Sequence, residues 1–342
     1  MINEGNERRG FSGYGHSTAH PSLALIKYWG KADNVENLPA TPSLAVTLDG
    51  LKTETSVWMS LNTGGENTAD TVFIEGVLQE KKRFEPFFRE FRRLLRKKKP
   101  DFNDFTIKAE SSSNFPASAG LASSSSGFAA LACACNEAAG MELSRDELSA
   151  LARIGSASAA RSLYGGFTSL AEGKRHAKQL FNENWWPEFR IIILELEKGP
   201  KEISSREAME QTRITSPYYN SWLKDSCVLM SEALTSLRNR NLDILGPIIR
   251  KSYLRMFATM FAADPPVIYW KPISLGVIRL CEEMRADGIS VWETMDAGPQ
   301  VKLFCTESET GKILSHLEAV FPDVRARVCI PGSAADGFSR KL

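Results

Sequence analysis

The sequence predicts an α+β fold built in two halves. Strand-like and helix-like segments are mixed without the regular alternation of a doubly wound sheet. A stretch rich in Gly and Ser, Asn114 to Asn136, runs directly into an alanine-rich helix former. The strongest strand signal, Phe189 to Leu196 (F-R-I-I-I-L-E-L), follows a Trp185-Trp186-Pro187 linker. We therefore divide the chain into a mobile N-terminal arm at residues 1–15, a first half at 16–188 and a second half at 189–342.

Each element has its own signal. Leu44 to Leu48 and Thr53 to Leu61 alternate and carry β-branched residues, so they read as strands joined by a turn at Asp49-Gly50. Val72 to Leu78 reads as another strand, with its turn at Glu75-Gly76. Phe84 to Lys99 sets apolar residues at helical spacing under a basic face. Flanking acids and the lack of interleaved aromatics make that face solvated, not a nucleic-acid patch. Phe105 to Ala109 is a short strand. Ser144-Arg145-Asp146-Glu147 is a capping box that starts a helix running to about Ile154. Gly165-Gly166-Phe167 then turns into Thr168 to Ala171. In the second half the spacing predicts helices over Tyr219 to Arg238, Leu242 to Ala262 and Pro272 to Arg285, the last stopped by Gly288. Strands at Ile289 to Met295 and Val301 to Thr306 flank Asp296-Ala297-Gly298-Pro299, and a helix at Gly311 to Val320 and a strand at Val324 to Ile330 follow.

Composition excludes several classes of function. A chain of 342 residues with 24% charged and 43% hydrophobic residues is ordinary for a soluble globular enzyme with a large core. A net charge of +1 creates no global field for nucleic acid or an acidic membrane, so an anionic ligand must be held locally. No apolar stretch is long enough for a transmembrane helix, and the first residues lack the apolar core of a secretory signal. The six cysteines form no C-x-x-C pair and the four histidines are scattered, which argues against a zinc site. Reduced, mostly buried thiols in a cytoplasmic protein are expected.

Three local features carry chemistry. The Asn114 to Asn136 stretch has the look of a loop feeding a helix N-terminus, whose unpaired N–H groups suit a phosphate. Gly120, Ala122, Ser123 and Ser124 are small enough to let an anion approach the backbone, and Ser123 to Ser126 add four hydroxyls. The pattern is neither G-x-x-x-x-G-K-[ST] nor G-x-G-x-x-G. Lys27, Lys31, Ser156, Ser158 and Arg161 can hold a second anion, the arginine offering a bidentate fork. Asp296, in a Gly-Pro turn between apolar strands, is either a turn-former or a general base.

Five motifs in order give these features a common frame: I-K-Y-W-G-K (Ile26 to Lys31), N-L-P (Asn37 to Pro39), N-F-P-x-x-A-G-L-A-S-S (Asn114 to Ser124), G-S-x-S-A-x-R-S (Gly155 to Ser162) and M-D-A-G-P (Met295 to Pro299). Their spacing resembles the mevalonate diphosphate decarboxylase family of the galactokinase, homoserine kinase, mevalonate kinase and phosphomevalonate kinase (GHMP) superfamily. The match runs from about Pro21 to Phe304. The resemblance implies a GHMP-kinase-like fold, with an N-terminal half like the second domain of ribosomal protein S5 and a ferredoxin-like C-terminal half around a deep cleft. It implies an ATP-dependent decarboxylation that yields isopentenyl diphosphate, with ATP and Mg2+ as cofactors and a homodimer that binds neither nucleic acid nor membrane.

Carried over by motif, Asp296, Arg161 and Lys27 match the catalytic residues, and Tyr28, Lys31, Ser156, Ser158 and Met209 the substrate site. Asn37, Ser118, Gly120, Leu121, Ala122, Ser123, Ser124 and Ser205 match the side that holds ATP and its phosphates. Four positions depart from the family pattern: Thr41-Pro42-Ser43 for N-S-S, Gln300 for the asparagine of D-A-G-P-N, Phe257 for the histidine of M-H-A-T, and Ser125-Ser126 for alanines. Gln300 and Phe257 are expected near site segments. Alternatives sharing the resemblance are a phosphomevalonate decarboxylase, a mevalonate 3-kinase-like enzyme and a non-catalytic nucleotide-binding relative.

Overall fold

A computed structural model describes residues 11–61, 69–100, 104–115, 123–197 and 203–340. The first half runs β1 (Phe11–Ala19), β2 (Ser22–Ile26), β3 (Lys31–Asp33), β4 (Leu38–Pro39), β5 (Ser43–Thr47), β6 (Thr53–Leu61), β7 (Thr71–Ile74), β8 (Val77–Leu78), α1 (Lys81–Lys98), β9 (Phe105–Ser113), α2 (Ser123–Ala138) and α3 (Arg145–Gly155). A 3-10 helix (Ala157–Leu163), β10 (Phe167–Leu170) and β11 (Lys178–Phe181) complete it. The second half runs β12 (Phe189–Glu195), α4 (Ser205–Thr215), α5 (Tyr219–Arg238), α6 (Leu242–Phe261), α7 (Pro272–Ala286), β13 (Trp292–Met295), β14 (Val301–Thr306), α8 (Glu307–Val320), β15 (Arg325–Cys329) and β16 (Asp336–Arg340). Strand orders are β16-β1-β6-β9-β7-β8, β11-β10-β5-β2 and β13-β14-β12-β15, with a small β3-β4 ribbon. No helix among the described residues is long and apolar enough to cross a membrane.

Helix α2 is the axis of the first half. It has no polar stripe, and it is buried nearly all round, as such a helix must be. It lies so close to β1 that a Cβ on Gly13 or Gly15 would overlap the carbonyls of Ala138 and Ala134. Helix α1 closes the same core with Phe84, Phe87, Phe88 and Phe91. Each buried phenylalanine contributes about 1.5–3 kcal/mol, so these rings hold α1 down while most of its basic residues stay in water and Arg92 pairs with Asp70.

Strand β12 joins two further cores by its alternation. Ile191 and Ile193 face β2, β5 and β10, whereas Ile192 and Leu194 face the helical layer of α4 to α8. The first half is thereby pressed against the second along one face of the β13-β14-β12-β15 sheet. The residues that leave β2 and β13 emerge at that junction.

Several expectations need correcting. Residues 11–15 of the expected arm belong to β1, paired with β6 on one side and β16 on the other; residues 1–10 lie outside the described residues. The Asp49-Gly50 turn is real, with Gly50 at φ 82, but β5 and β6 leave it into different sheets and form no hairpin. Strand β9 extends four residues beyond Ala109 through Glu110-Ser111-Ser112-Ser113, whose polarity hid it. The boundary at residue 189 does not hold for β16, which returns to pair with β1 from Thr18↔Asp336 to Tyr14↔Arg340.

Candidate active site

Lys27 follows the last residue of β2, where the strand ends against α6. Its backbone N–H donates to Ser252 Oγ at 2.9 Å, which fixes the point of departure. Its side chain is 1% exposed, and Nζ donates to the Ala24 carbonyl at 2.8 Å and to Asp296 Oδ1 at 2.7 Å. Asp296 follows β13, its side chain 26% exposed, so one side of the pair stays open. Lys302, on β14 and 2% exposed, reaches Asp296 Oδ2 at 3.2 Å. Desolvation would raise the Asp296 carboxyl, but the Lys27 and Lys302 ammoniums outweigh it and hold it well below the usual carboxylate range. Burial pulls Lys27 down to about 8, with Asp296 opposing the fall and Lys302 and Arg161 adding to it.

Arg161 comes from the 3-10 helix, buried, with Nη1 donating to Ser43 Oγ at 2.5 Å. Its Nε has no hydrogen-bond partner among the described residues. Burial lowers the guanidinium to about 10 against the pull of Asp296, so it stays charged at neutral pH. Tyr28 holds a buried hydroxyl, again without a partner among the described residues. Burial pushes that phenol up, and the nearby charges of Arg161, Arg206 and Arg153 pull against it. Lys31 is lowered to about 8 by burial and then by Arg206, with Glu210 opposing. Cations therefore line the wall from Asp296 past Tyr28 to Lys31. Buried donors left open beside them, Tyr28 Oη and Arg161 Nε, need a polar guest.

Trp29 and Gly30 tie this wall to the helical layer. The Trp29 indole donates to Thr212 Oγ1 of α4 at 2.9 Å, and its carbonyl accepts from the Trp222 indole of α5 at 2.9 Å. Gly30 has φ 110, and a Cβ there would overlap the Tyr219 hydroxyl. Helix α4 starts with a capping box, Ser204 with Glu207, and presents Ser205, exposed Arg206 and half-buried Met209 on its first turns.

A chain of hydroxyls links the start of α2 to the start of the 3-10 helix that carries Arg161. Ser124 Oγ lies 3.3 Å from Ser156 Oγ, which lies 3.0 Å from Ser158 Oγ. The four serines thus divide by face. Ser123 and Ser124 are partly exposed at the helix start, where N–H groups favour anions. Ser125 and Ser126 are buried and structural: Ser125 Oγ accepts from the Ser22 N–H at 3.3 Å, and Ser126 Oγ meets Thr53 Oγ1 at 2.7 Å.

The structure brings together Lys27, Asp296, Arg161, Tyr28 and Lys31, and separately links Ser124, Ser156 and Ser158. Ser118, Gly120, Leu121 and Ala122 lie outside the described residues. Asn37 turns the β3-β4 ribbon at φ 55, buried, with its amide donating to the Arg153 carbonyl at 2.8 Å. Phe257 is buried among Tyr253, Phe261 and Trp270, in the same core cluster as Trp29, Met295 and Ala297 beside the site segments. Gln300 is buried and clamps the exit of β12, accepting from the Leu196 N–H and donating to the Glu197 carbonyl, both at 2.6 Å. Sequence reasoning missed Lys302 and Arg206. The only signal for Lys302 was a lone lysine inside an apolar strand.

Among the described residues, no group of three or more His, Cys, Asp or Glu could hold a metal ion. The donors at the start of α2 are hydroxyls. They suit a Mg2+ that keeps its waters and takes its other ligands from phosphates, not a resident ion in a protein cage.

Comparison with known proteins agrees with this geometry. Residues 19–181 match the diphosphomevalonate decarboxylase-like N-terminal domain, and residues 191–336 the mevalonate 5-diphosphate decarboxylase C-terminal domain. The diphosphomevalonate decarboxylases of Homo sapiens and Bos taurus are 33% and 32% identical, each over 95% of this chain and 83% of theirs. A structure described as MDDEF in complex with MVAPP, AMPPCP and magnesium is 36% identical with a TM-score of 0.86, covering 96% of this chain and 99% of that one. Mevalonate diphosphate decarboxylase from Staphylococcus aureus is 33% identical with a TM-score of 0.86, covering 95% and 98%. Both halves and the whole fold thus agree: the chain belongs to the diphosphomevalonate decarboxylase family of the GHMP kinase superfamily.

Proposed function

We propose that this chain converts mevalonate 5-diphosphate and ATP to isopentenyl diphosphate, ADP, phosphate and CO2. The observation that carries the reading is the buried Lys27–Asp296 pair, 2.7 Å long, open on one side and flanked by Arg161. Asp296 faces the substrate's 3-hydroxyl. Two ammoniums make it a weak base, which suits phosphoryl transfer through a loose transition state, where positioning and charge neutralisation do most of the work. Once the 3-phosphate departs, the same carboxylate faces the positive charge growing at C3. The C1–C2 electron pair then forms the alkene as CO2 leaves. Arg161 orients the C1 carboxylate through its free donor edge.

The wall of Tyr28, Lys31 and Arg206, with Ser156 and Ser158, takes the diphosphate tail. Its several donors favour a diphosphate over a monophosphate. Ser123, Ser124 and Ser205 serve the ATP phosphates, and Met209 packs against the substrate. Mg2+, when bound, screens the two polyanions from each other. The reading includes a homodimer in the cytoplasm; the family resemblance suggests the dimer, and six unpaired thiols accord with a reducing compartment.

Asp296→Asn provides the test. Wild-type protein with ATP, Mg2+ and mevalonate 5-diphosphate should release CO2 and phosphate in equal amounts. The variant should lose most of this turnover while binding ATP with near wild-type affinity. A wild type that releases neither product contradicts the proposal, and a large loss of ATP affinity in the variant makes Asp296 structural.

A further inference from the structure

Lys302 stands outside the five sequence motifs. It sits on β14, an interior strand whose neighbours Val301, Leu303, Phe304 and Cys305 are fully buried. An ammonium in such a strand is costly unless something compensates. Strand alternation puts it on the Phe304 face, toward the first half, while Val301, Leu303 and Cys305 face the helices. There Nζ meets Asp296 Oδ2 at 3.2 Å, while Lys27 holds Oδ1 at 2.7 Å.

We infer that Lys302 is a positioning residue of the reaction: it pins the second oxygen of Asp296, and so fixes the carboxylate plane and its ionised state against the substrate. The inference rests on the decarboxylase reading. Carboxylate torsions are otherwise broad, and Lys27 alone would let the group swing about Oδ1. Anchors from β14 and from the end of β2 stop that swing. The charges facing Asp296 are Lys27, Lys302 and Arg161, three cations for one carboxylate. A merely structural pair would be balanced. The surplus positive charge is held ready for an incoming phosphoryl group, as preorganised electrostatic stabilisation requires.

The test compares Lys302→Met and Lys302→Arg with the wild type, using ATP, Mg2+ and mevalonate 5-diphosphate across pH. Lys302→Met should lower kcat by about tenfold or more, change KM by less than about threefold, and move the acid limb of kcat to higher pH. Lys302→Arg should restore most of kcat and return the acid limb. Because one ammonium still pairs Asp296, Lys302→Met should melt no lower than wild type. Unchanged kcat and acid limb in Lys302→Met overturn the inference. So do equal losses in both variants with an unmoved acid limb, or a lowered melting temperature with that limb unmoved, since these describe packing alone. Carbon-13 NMR of aspartate-labelled protein, with Asp296 assigned through Asp296→Asn, reads the pairing without turnover. Its carboxyl carbon should begin to shift at higher pH in Lys302→Met. An inactive wild type would therefore refute the decarboxylase reading, while an unmoved carboxyl signal would refute the pairing. Should Lys302→Met not fold, Lys302→Gln is judged by the same limits.

Discussion

Lys27 meets opposing demands, and its protonation sets how the site responds to pH. Buried, it is lowered from 10.5 to about 8, with Asp296 resisting the fall. Turnover should therefore decline as pH rises past about 8, because a neutral amine no longer pairs Asp296 or faces a phosphate. Stability should move the other way. Between about 8 and 10.5 the unfolded chain binds more protons at this residue than the folded one, so stability rises with pH through that window. Lys31, also lowered to about 8, adds in the same direction. Urea midpoints measured against pH for wild type and Lys27→Met isolate the Lys27 part: the rise should be smaller in the variant. An identical rise in both would remove Lys27 as its source.

Among the elements, the exit of β12 and the turn after β13 depend on each other through Gln300. Its buried amide satisfies the Leu196 N–H and the Glu197 carbonyl where β12 emerges toward the surface, just before the segment that leads to α4. Gln300→Ala leaves both groups without their partner and should cost about 1–3 kcal/mol, read as a lower urea midpoint at unchanged slope. No shift would mean that water replaces the amide. Sequence reasoning could locate such elements where local chemistry decides them. The Ser144 capping box, the spacing of α5 and α6, and the ends of β14 are written in neighbouring residues. It failed where tertiary pairing decides. The polar end of β9 is a strand because β6 lies beside it, and β16 is a strand because β1 does. The site divides the same way. Lys27, Arg161 and Asp296 stand in motifs, whereas Lys302 is recognised only once β14 is seen to face β2.

At the scale of the molecule, the last strand closes the first half. β16 covers the edge of β1 and packs on α2, and Arg145 Nη1 donates to the Ala335 carbonyl at 2.7 Å. Removing residues 332–342 would bare a long edge strand and the flank of α2, so the truncated chain should melt lower and aggregate sooner in light scattering. A melt like that of the full chain would show that β16 is dispensable. The two halves meet where Lys27 from the first reaches Asp296 from the second, so catalysis depends on their packing as well as on the residues themselves. This junction, with its cationic wall, is where a diphosphate substrate is decarboxylated. Side-by-side turnover of mevalonate, its 5-phosphate and its 5-diphosphate, each with ATP and Mg2+, tests it most directly. CO2 release with the highest kcat/KM on the 5-diphosphate is the predicted result. Equal or greater turnover of the 5-phosphate, or ADP formed from any of the three without CO2, would contradict it.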